Sequence, residues 1–207
     1  MNLIDRILCE VDTGLRTVFT AAHAERPFPA DEPAAKLAET DQQSSIRLMR
    51  VNHTGEVCAQ ALYQGQALVA RDADTRALLQ RAAGEERDHL AWCGRRLDQL
   101  GGHTSILNPL FYAGSFAFGV ASGLAGDKWS MGFLVETERQ VEAHLSQHLA
   151  RLPEADQSSR DVLEVMREDE IRHGAAGTQH GAAELPPPVK SLMSAFSRLM
   201  TRTTYWL

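Results

Sequence analysis

Along most of this chain, apolar residues recur every three or four positions, the spacing that lines one face of an α-helix. Ile4, Ile7, Leu8, Val11, Leu15, Val18 and Phe19, interleaved with Asp5, Arg6, Glu10, Asp12 and Arg16, predict an amphipathic first helix packed on the outside of the molecule. Residues 25–42 carry Pro27, Pro29 and Pro33 among acidic and polar residues and read as an irregular connection with no chemistry of its own. A helix is then expected from Ser44 or Ser45 to about Ala70, and another from about Ala73 to Leu100, stopped by Gly101-Gly102. A third runs from about Lys128 to Leu152, ended by Pro153, and a fourth from about Asp156 to Glu184. After Pro186-Pro187-Pro188, Leu192, Met193, Phe196, Leu199 and Met200 alternate with Lys190, Arg198 and Arg202 in a last basic amphipathic helix over Val189 to Leu207. That helix suits an anionic membrane surface or packing back onto the bundle.

Between the second and third long helices lies a different kind of segment. Ser105 to Gly126 is 22 residues without a formal charge, long enough to reach across a bilayer. Pro109, Asn108, three serines and four glycines make it only moderately hydrophobic. Three readings follow: a long crossover of a bundle whose apolar patch touches a membrane, a dimer interface cued by its small residues, and a true span. The fold class is therefore all-α, a four-helix bundle with added N- and C-terminal amphipathic helices and a long apolar crossover. Residues 1–44 form the N-terminal helix and acidic loop, and residues 45–207 the bundle, within a single domain.

Composition narrows the function. With 23% charged and 43% hydrophobic residues in 207, the chain is globular, neither disordered nor a multi-span membrane protein. A net charge of −6 leaves no basic face for nucleic acid. Cys9, Cys58 and Cys93 are odd in number and lack C-x-x-C spacing, so neither a zinc ribbon nor a disulfide framework is expected, and a reducing interior fits. Charges inside Met1-Asn2-Leu3-Ile4-Asp5-Arg6 leave no secretory signal apparent, which places the protein in the cytoplasm or on the inner face of a membrane.

The candidate chemistry is a pattern that occurs twice. Glu86-Arg87-Asp88-His89 and Glu170-Ile171-Arg172-His173 each put a Glu and a His one helical turn apart on one face. With 15 Glu and 8 His in the chain, chance placement gives roughly 0.6 such matches, so the pairs alone are only suggestive. Thirty residues separate Glu56 from Glu86 and thirty-two separate Glu138 from Glu170, the distance of a helix, a short turn and an antiparallel return. The chain therefore contains one helical hairpin twice. Glu86 and His89 interrupt an apolar stripe of Leu78, Leu79, Ala82, Leu90 and Cys93, and Glu170 and His173 interrupt Leu163, Met166 and Gly177. Metal coordination would resolve the cost of burying them, whereas the plain reading is a surface pair beside Glu85, Arg87 and Asp88.

Glu56, Glu86, His89, Glu138, Glu170 and His173 are the expected ligands, with Glu136 and Glu142 as rivals of Glu138. Arg167, Glu168, Asp169 and Arg172 read as a solvated face, Tyr63 as a residue near the metals or simply in the core, and His144 and His148 as residues around the metals or exposed. Gly55, inside a helix, needs close packing or a nearby metal to explain it. Four carboxylates and two imidazoles suit two iron or manganese ions better than zinc, in the arrangement of ferritin-like carboxylate bundles.

On these residues the sequence resembles a family. Arg50-Val51-Asn52-His53-Thr54-Gly55-Glu56, Tyr63-Gln64-Gly65-Gln66, Glu86-Arg87-Asp88-His89-Leu90, Val135-Glu136-Thr137-Glu138 followed by His144, and Glu168-Asp169-Glu170-Ile171-Arg172-His173 are similar to the demethoxyubiquinone hydroxylases of ubiquinone biosynthesis, the Coq7/Cat5 family. The first stretch is far more specific than the E-x-x-H pairs. The resemblance covers about residue 45 to the end, with residues 1–44 as additional length. It implies a di-iron monooxygenase that uses dioxygen to hydroxylate the ring of a polyprenylated demethoxybenzoquinol, peripheral on the cytoplasmic side of the inner membrane. Electrons would come from NADH or from the quinol, and the chain has no glycine-rich dinucleotide fingerprint. A homo-oligomer and an assembly with other ubiquinone-biosynthesis proteins stay open. The rival readings are an iron-storage or ferroxidase bundle and a non-enzymatic lipid-binding bundle.

Overall fold

A computed structural model describes residues 3–30 and 36–207. Of the residues cited above, Met1, Asn2 and Pro33, and the side chains of Leu3, Ile4, Arg6 and Ile7, lie outside the described set. The described residues form helices and no strands: α1 (Leu3–Phe19), α2 (Glu39–Val69), α3 (Ala73–Gln99), α4 (Asn108–Leu124), α5 (Asp127–Arg151), α6 (Gln157–Gln179) and α7 (Pro187–Thr204). The expected ferritin-like four-helix bundle is α2, α3, α5 and α6, paired as α2 with α3 and α5 with α6. Two apolar clusters fill it. One lies around Leu48, Met49, Trp92, Leu97, Leu145, Leu163 and Met166, the other around Leu62, Tyr63, Leu79, Met131 and Leu134.

Two helix ends differ from expectation for local reasons. Helix α2 begins at Glu39 rather than Ser44, and the acids that made this stretch look like a loop, Glu39 and Asp41, occupy its first turn, where the helix dipole favours them. Helix α6 stops at Gln179 rather than Glu184. Gly181 takes a left-handed φ of +83°, open to glycine at little cost, and Ala182 N–H turns back to the Gly177 carbonyl. The chain then runs beside α5, where Ala183 N–H donates to the Lys128 carbonyl at 2.9 Å.

The charge-free segment folds as α4 and lies along α2. A Cβ on Gly119 would overlap the Leu62 carbonyl oxygen, and one on Gly65 would overlap that of Phe116, so the two backbones meet where side chains are missing. The small residues that suggested a dimer interface thus serve a helix pair within one chain. No helix among the described residues is long and apolar enough to cross a membrane, which corrects the spanning reading.

Helices α1 and α7 flank α4. Helix α1 packs inward with small and polar residues: Gly14 lies against the Tyr112 ring, and the Thr17 hydroxyl donates to Gln60 Oε1 at 3.1 Å. Among the described side chains its apolar stripe therefore points outward, with Leu15 55% and Phe19 69% exposed, beside exposed Leu8 and Val11. Helix α7 packs back through Phe196, edge-on to Phe111 and Phe118, and through buried Met200, while Leu192 and Leu199 face out. The packing-back reading of this helix holds for the Phe196–Met200 face, and the opposite face leaves Leu192 and Leu199 exposed.

Candidate metal centre

Antiparallel pairing brings the mid-helix acids of α2 and α5 level with the E-x-x-H turns of α3 and α6. Glu56, Glu86, His89 and Glu170 form one buried group, and Glu86, Glu138, Glu170 and His173 a second; within each, the ligand atoms lie within 4.8 Å of one another. Glu86 and Glu170 belong to both. His89 Nδ1 is 2.9 Å from Glu86 Oε2 and 3.5 Å from Glu170 Oε1. His173 Nδ1 is 3.2 Å from Glu86 Oε1 and 3.5 Å from Glu170 Oε2. Each shared carboxylate thus turns one oxygen to each histidine, while Glu56 stands at the His89 end and Glu138 at the His173 end, both at 3.7 Å.

The electrostatics call for cations. Burial, and then Glu86 and Glu170, hold Glu56 and Glu138 well above the usual carboxylate range. Burial would raise Glu86 as well, but the charge of His89, its hydrogen bond, and the charge of nearby His173 carry it below that range. Burial would lower His89, yet Glu86 and hydrogen bonds to Asp169, Glu170 and Glu56 raise it well above an ordinary imidazole. Glu86 Oε1, Glu170 Oε2 and His173 Nδ1 are buried with no hydrogen-bond partner among the described residues. Protons neutralise such a cluster, and divalent cations that displace them do so better. The residues fit two cations, with Glu86 and Glu170 between them.

All six expected residues meet here. Glu142, the rival of Glu138, is half-buried and belongs to neither group. Glu136 is buried but engages Arg139 and Gln140. Tyr63 is fully buried and its hydroxyl donates to Glu138 Oε1. His144 stacks on His148 with ring centroids 3.9 Å apart, and His148 Nδ1 is 2.8 Å from Asn52 Oδ1. Burial pushes His144 down to about 4, so it is neutral at physiological pH.

Several functional neighbours escaped the sequence reading. Asp88 and Asp169, taken for a solvated face, are buried. Asp169 Oδ2 accepts the Nε2 proton of His89 at 2.9 Å, and Glu85 Oε2 lies 3.1 Å from His173 Nε2. Each is the acid immediately before the other copy's E-x-x-H pair, so the repeated unit is acid-Glu-x-x-His and the partnership is crossed. A ligating imidazole needs an orienting partner on its far nitrogen, and that requirement was the available signal. The connection expected to carry no chemistry supplies Arg26, whose guanidinium bridges Asp88 and Asp169.

Two cavities flank the cluster. One, of about 140 Å³, is almost wholly apolar and lies among α2, α4, α5 and α7, lined by exposed Leu192, by Phe196, Phe118 and Leu62, and by Glu56. Gly55 lines it, and a Cβ there would meet nothing within 4 Å, so open space beside Glu56 accounts for this glycine and close packing does not. The other, of about 540 Å³, lies under α1 and is lined by polar groups including Arg16, Thr17, Gln60 and Tyr63.

A helical bundle whose four long helices bring two buried histidines among four glutamates is a ferritin-like protein with a cluster that could hold metal ions. The chain belongs to the family described as ubiquinone biosynthesis protein COQ7, whose model matches residues 43–204. It is 54% identical to a protein of Polynucleobacter necessarius subsp. necessarius over 99% of both chains. It is 56% identical to one of Xanthomonas campestris pv. campestris over 98% of this chain and 94% of that one. It is 52% identical to one of Nitrosospira multiformis over the whole of both. All three relatives are named 3-demethoxyubiquinol 3-hydroxylase.

Proposed function

We propose that this protein is a dioxygen-dependent hydroxylase of ubiquinone biosynthesis, adding a hydroxyl to the ring of a polyprenylated demethoxybenzoquinol. Glu56, Glu86, His89, Glu138, Glu170 and His173 would hold two iron ions, which supply the reduction of dioxygen when bound. The observation that carries the reading is the apolar cavity whose lining includes both exposed Leu192 and Glu56, one of the cluster's own carboxylates. Iron storage would give such a cavity no purpose. A ring entering tail-last would leave its isoprenoid against Phe118, Phe196 and Met193, and would exclude water from the cluster. His144 Nε2, buried with no hydrogen-bond partner among the described residues, offers this lining a polar contact for a ring hydroxyl.

Delivery follows from the outer layer. Adjacent α1, α4 and α7 together expose Leu8, Val11, Leu15, Phe19, Leu110, Leu124, Leu192 and Leu199, with Arg198 and Arg202 also exposed. That combination suits shallow insertion into an anionic leaflet, the cytoplasmic face of the inner membrane, where the substrate resides. Quinone profiling by mass spectrometry in a strain lacking this protein tests the function: the demethoxy precursor should accumulate and ubiquinone should fall. An unchanged quinone pool overturns it.

A further inference from the structure

The segment joining α1 to α2 grips the centre from outside. Glu25 N–H donates to Asp88 Oδ1 at 2.7 Å, Arg26 Nε to Asp88 Oδ2 at 2.9 Å, and Arg26 Nη2 to Asp169 Oδ2 at 2.7 Å. The guanidinium lies over the Trp92 ring, 4.6 Å from its centroid. Phe28 anchors the segment a little further on, beneath Arg95 and against the core. Asp169 Oδ2 is the same atom that accepts the proton of His89 Nε2. One carboxylate oxygen therefore links a cation of this strap to an imidazole whose other nitrogen faces Glu56, Glu86 and Glu170.

The His173 end has no such clamp. Its partner Glu85 has a 36% exposed side chain, against 5% for Asp169, and meets Arg172 at 3.4 Å. An imidazole that binds a cation through Nδ1 must keep its proton on Nε2, and the carboxylate there fixes tautomer and ring orientation. Asp88 and Asp169 are both buried, and Arg26 pairs with both, while Arg172 pairs with the other oxygen of Asp169, Oδ1. Arg26 is thus the cation on Oδ2, the oxygen that receives His89, and removing it lets Asp169 shift toward Arg172 and away from His89.

We propose that Arg26 is a positioning residue for His89, acting through Asp169 to fix the imidazole at one of the two cation positions and so to make the two unequal in affinity. Arg26 lies outside the stretch 43–204 that matches the family model, so this control sits in the N-terminal region and not in the matched core. The inference rests on the two-metal reading of the cluster.

Calorimetric titration of the full-length apo-protein with Co(II) alone separates the two questions. Wild type should bind two ions, and failure to do so defeats the two-metal reading itself. Arg26→Gln should weaken one binding step by about tenfold, the lower end of the usual loss when an orienting partner is removed, and leave the other step unchanged. Arg26→Lys, which keeps the charge but cannot span both carboxylates, should recover part of that loss, and it serves alone if the Gln variant does not fold. Phe28→Ala, which loosens the same strap without removing the guanidinium, should leave both steps as in wild type. An unchanged titration in the Arg26 variants overturns the proposal. So does equal weakening of both steps, or a Phe28→Ala titration that matches Arg26→Gln.

Discussion

The α2–α3 hairpin and the α5–α6 hairpin carry the same ligands at nearly the same spacing, yet their surroundings differ at every ligand. Glu56, on the first, borders an apolar cavity and has open space beside its neighbour Gly55. Glu138, on the second, receives the hydroxyl of Tyr63 from across the bundle. Helix α4 lies along the first hairpin and carries exposed Leu110 and Leu124, while the second hairpin is bridged to it by its acids and histidines. A repeated ligand set has thus been placed in a non-repeated environment. The duplication supplies two matched sets of candidate ligands, and the asymmetry gives the cluster a side: apolar open space at Glu56, hydrogen-bonded support at Glu138.

The hardest test of this comparison is its shared part. Because Glu170 turns an oxygen to each histidine, Glu170→Ala should cost both positions their bound iron and abolish hydroxylation, whereas Glu56→Ala should lose the His89 position preferentially. Iron content per chain after anaerobic reconstitution, with helical content checked by circular dichroism, distinguishes the two. Equal losses would mean that Glu170 is not shared. The next effect in size belongs to the outer layer. Leu15→Asp with Leu110→Asp removes two exposed leucines, each worth about 1.5–3 kcal/mol when buried in an apolar phase. Co-sedimentation with anionic phospholipid vesicles should fall by at least about tenfold on that figure, with iron content unchanged. Undiminished vesicle binding would leave the cavity mouth with no lipid face around it.

What the sequence made legible divides along the same line. The duplicated hairpin was readable because its signal is local: two acids a helix and a turn apart, and a Glu and a His one turn apart. Spacing favoured Glu138 over Glu142 but left the choice open, because Glu142 lies one turn along the same face. The asymmetric features depend on which elements meet. Nothing local to Asp169 says that it receives His89 from another helix, and Arg26 lies among prolines that read as a plain connection. The apolar stripe of α1 was visible, but an amphipathic helix ordinarily buries such a stripe. Only Gly14 against Tyr112 and Thr17 against Gln60 show that this one faces out.

A smaller effect probes the Glu138 side. Tyr63→Phe keeps the ring in its fully buried place and removes the only hydroxyl contact described for Glu138 Oε1. An acceptor left unpaired in the interior costs about 1–3 kcal/mol, so denaturant unfolding of the apo-protein should show a loss of that order. Apo stability equal to wild type would mean that the Tyr63 contact does not distinguish the two carboxylates, and the hairpins would be more alike than they look.

The smallest effect probes the Glu56 side, and it should raise stability while lowering activity. Gly55 lies inside α2 with a right-handed helical backbone, so replacing it by alanine should stabilise the helix by up to about 1 kcal/mol. The added methyl meets no atom within 4 Å and would project into the apolar cavity beside Glu56. Hydroxylation of a polyprenylated substrate should then show a lower kcat/KM in a protein that melts at a higher temperature. Gly84 is the matched control: it also lies within a helix, α3, and also has open space around its missing Cβ, but it borders the separate cavity under α1. Gly84→Ala should therefore gain the same stability without the loss in kcat/KM. If both variants slow turnover equally, stiffening of the bundle explains the effect. If only Gly55→Ala does, the space that glycine leaves beside the first hairpin's carboxylate is the space the substrate uses.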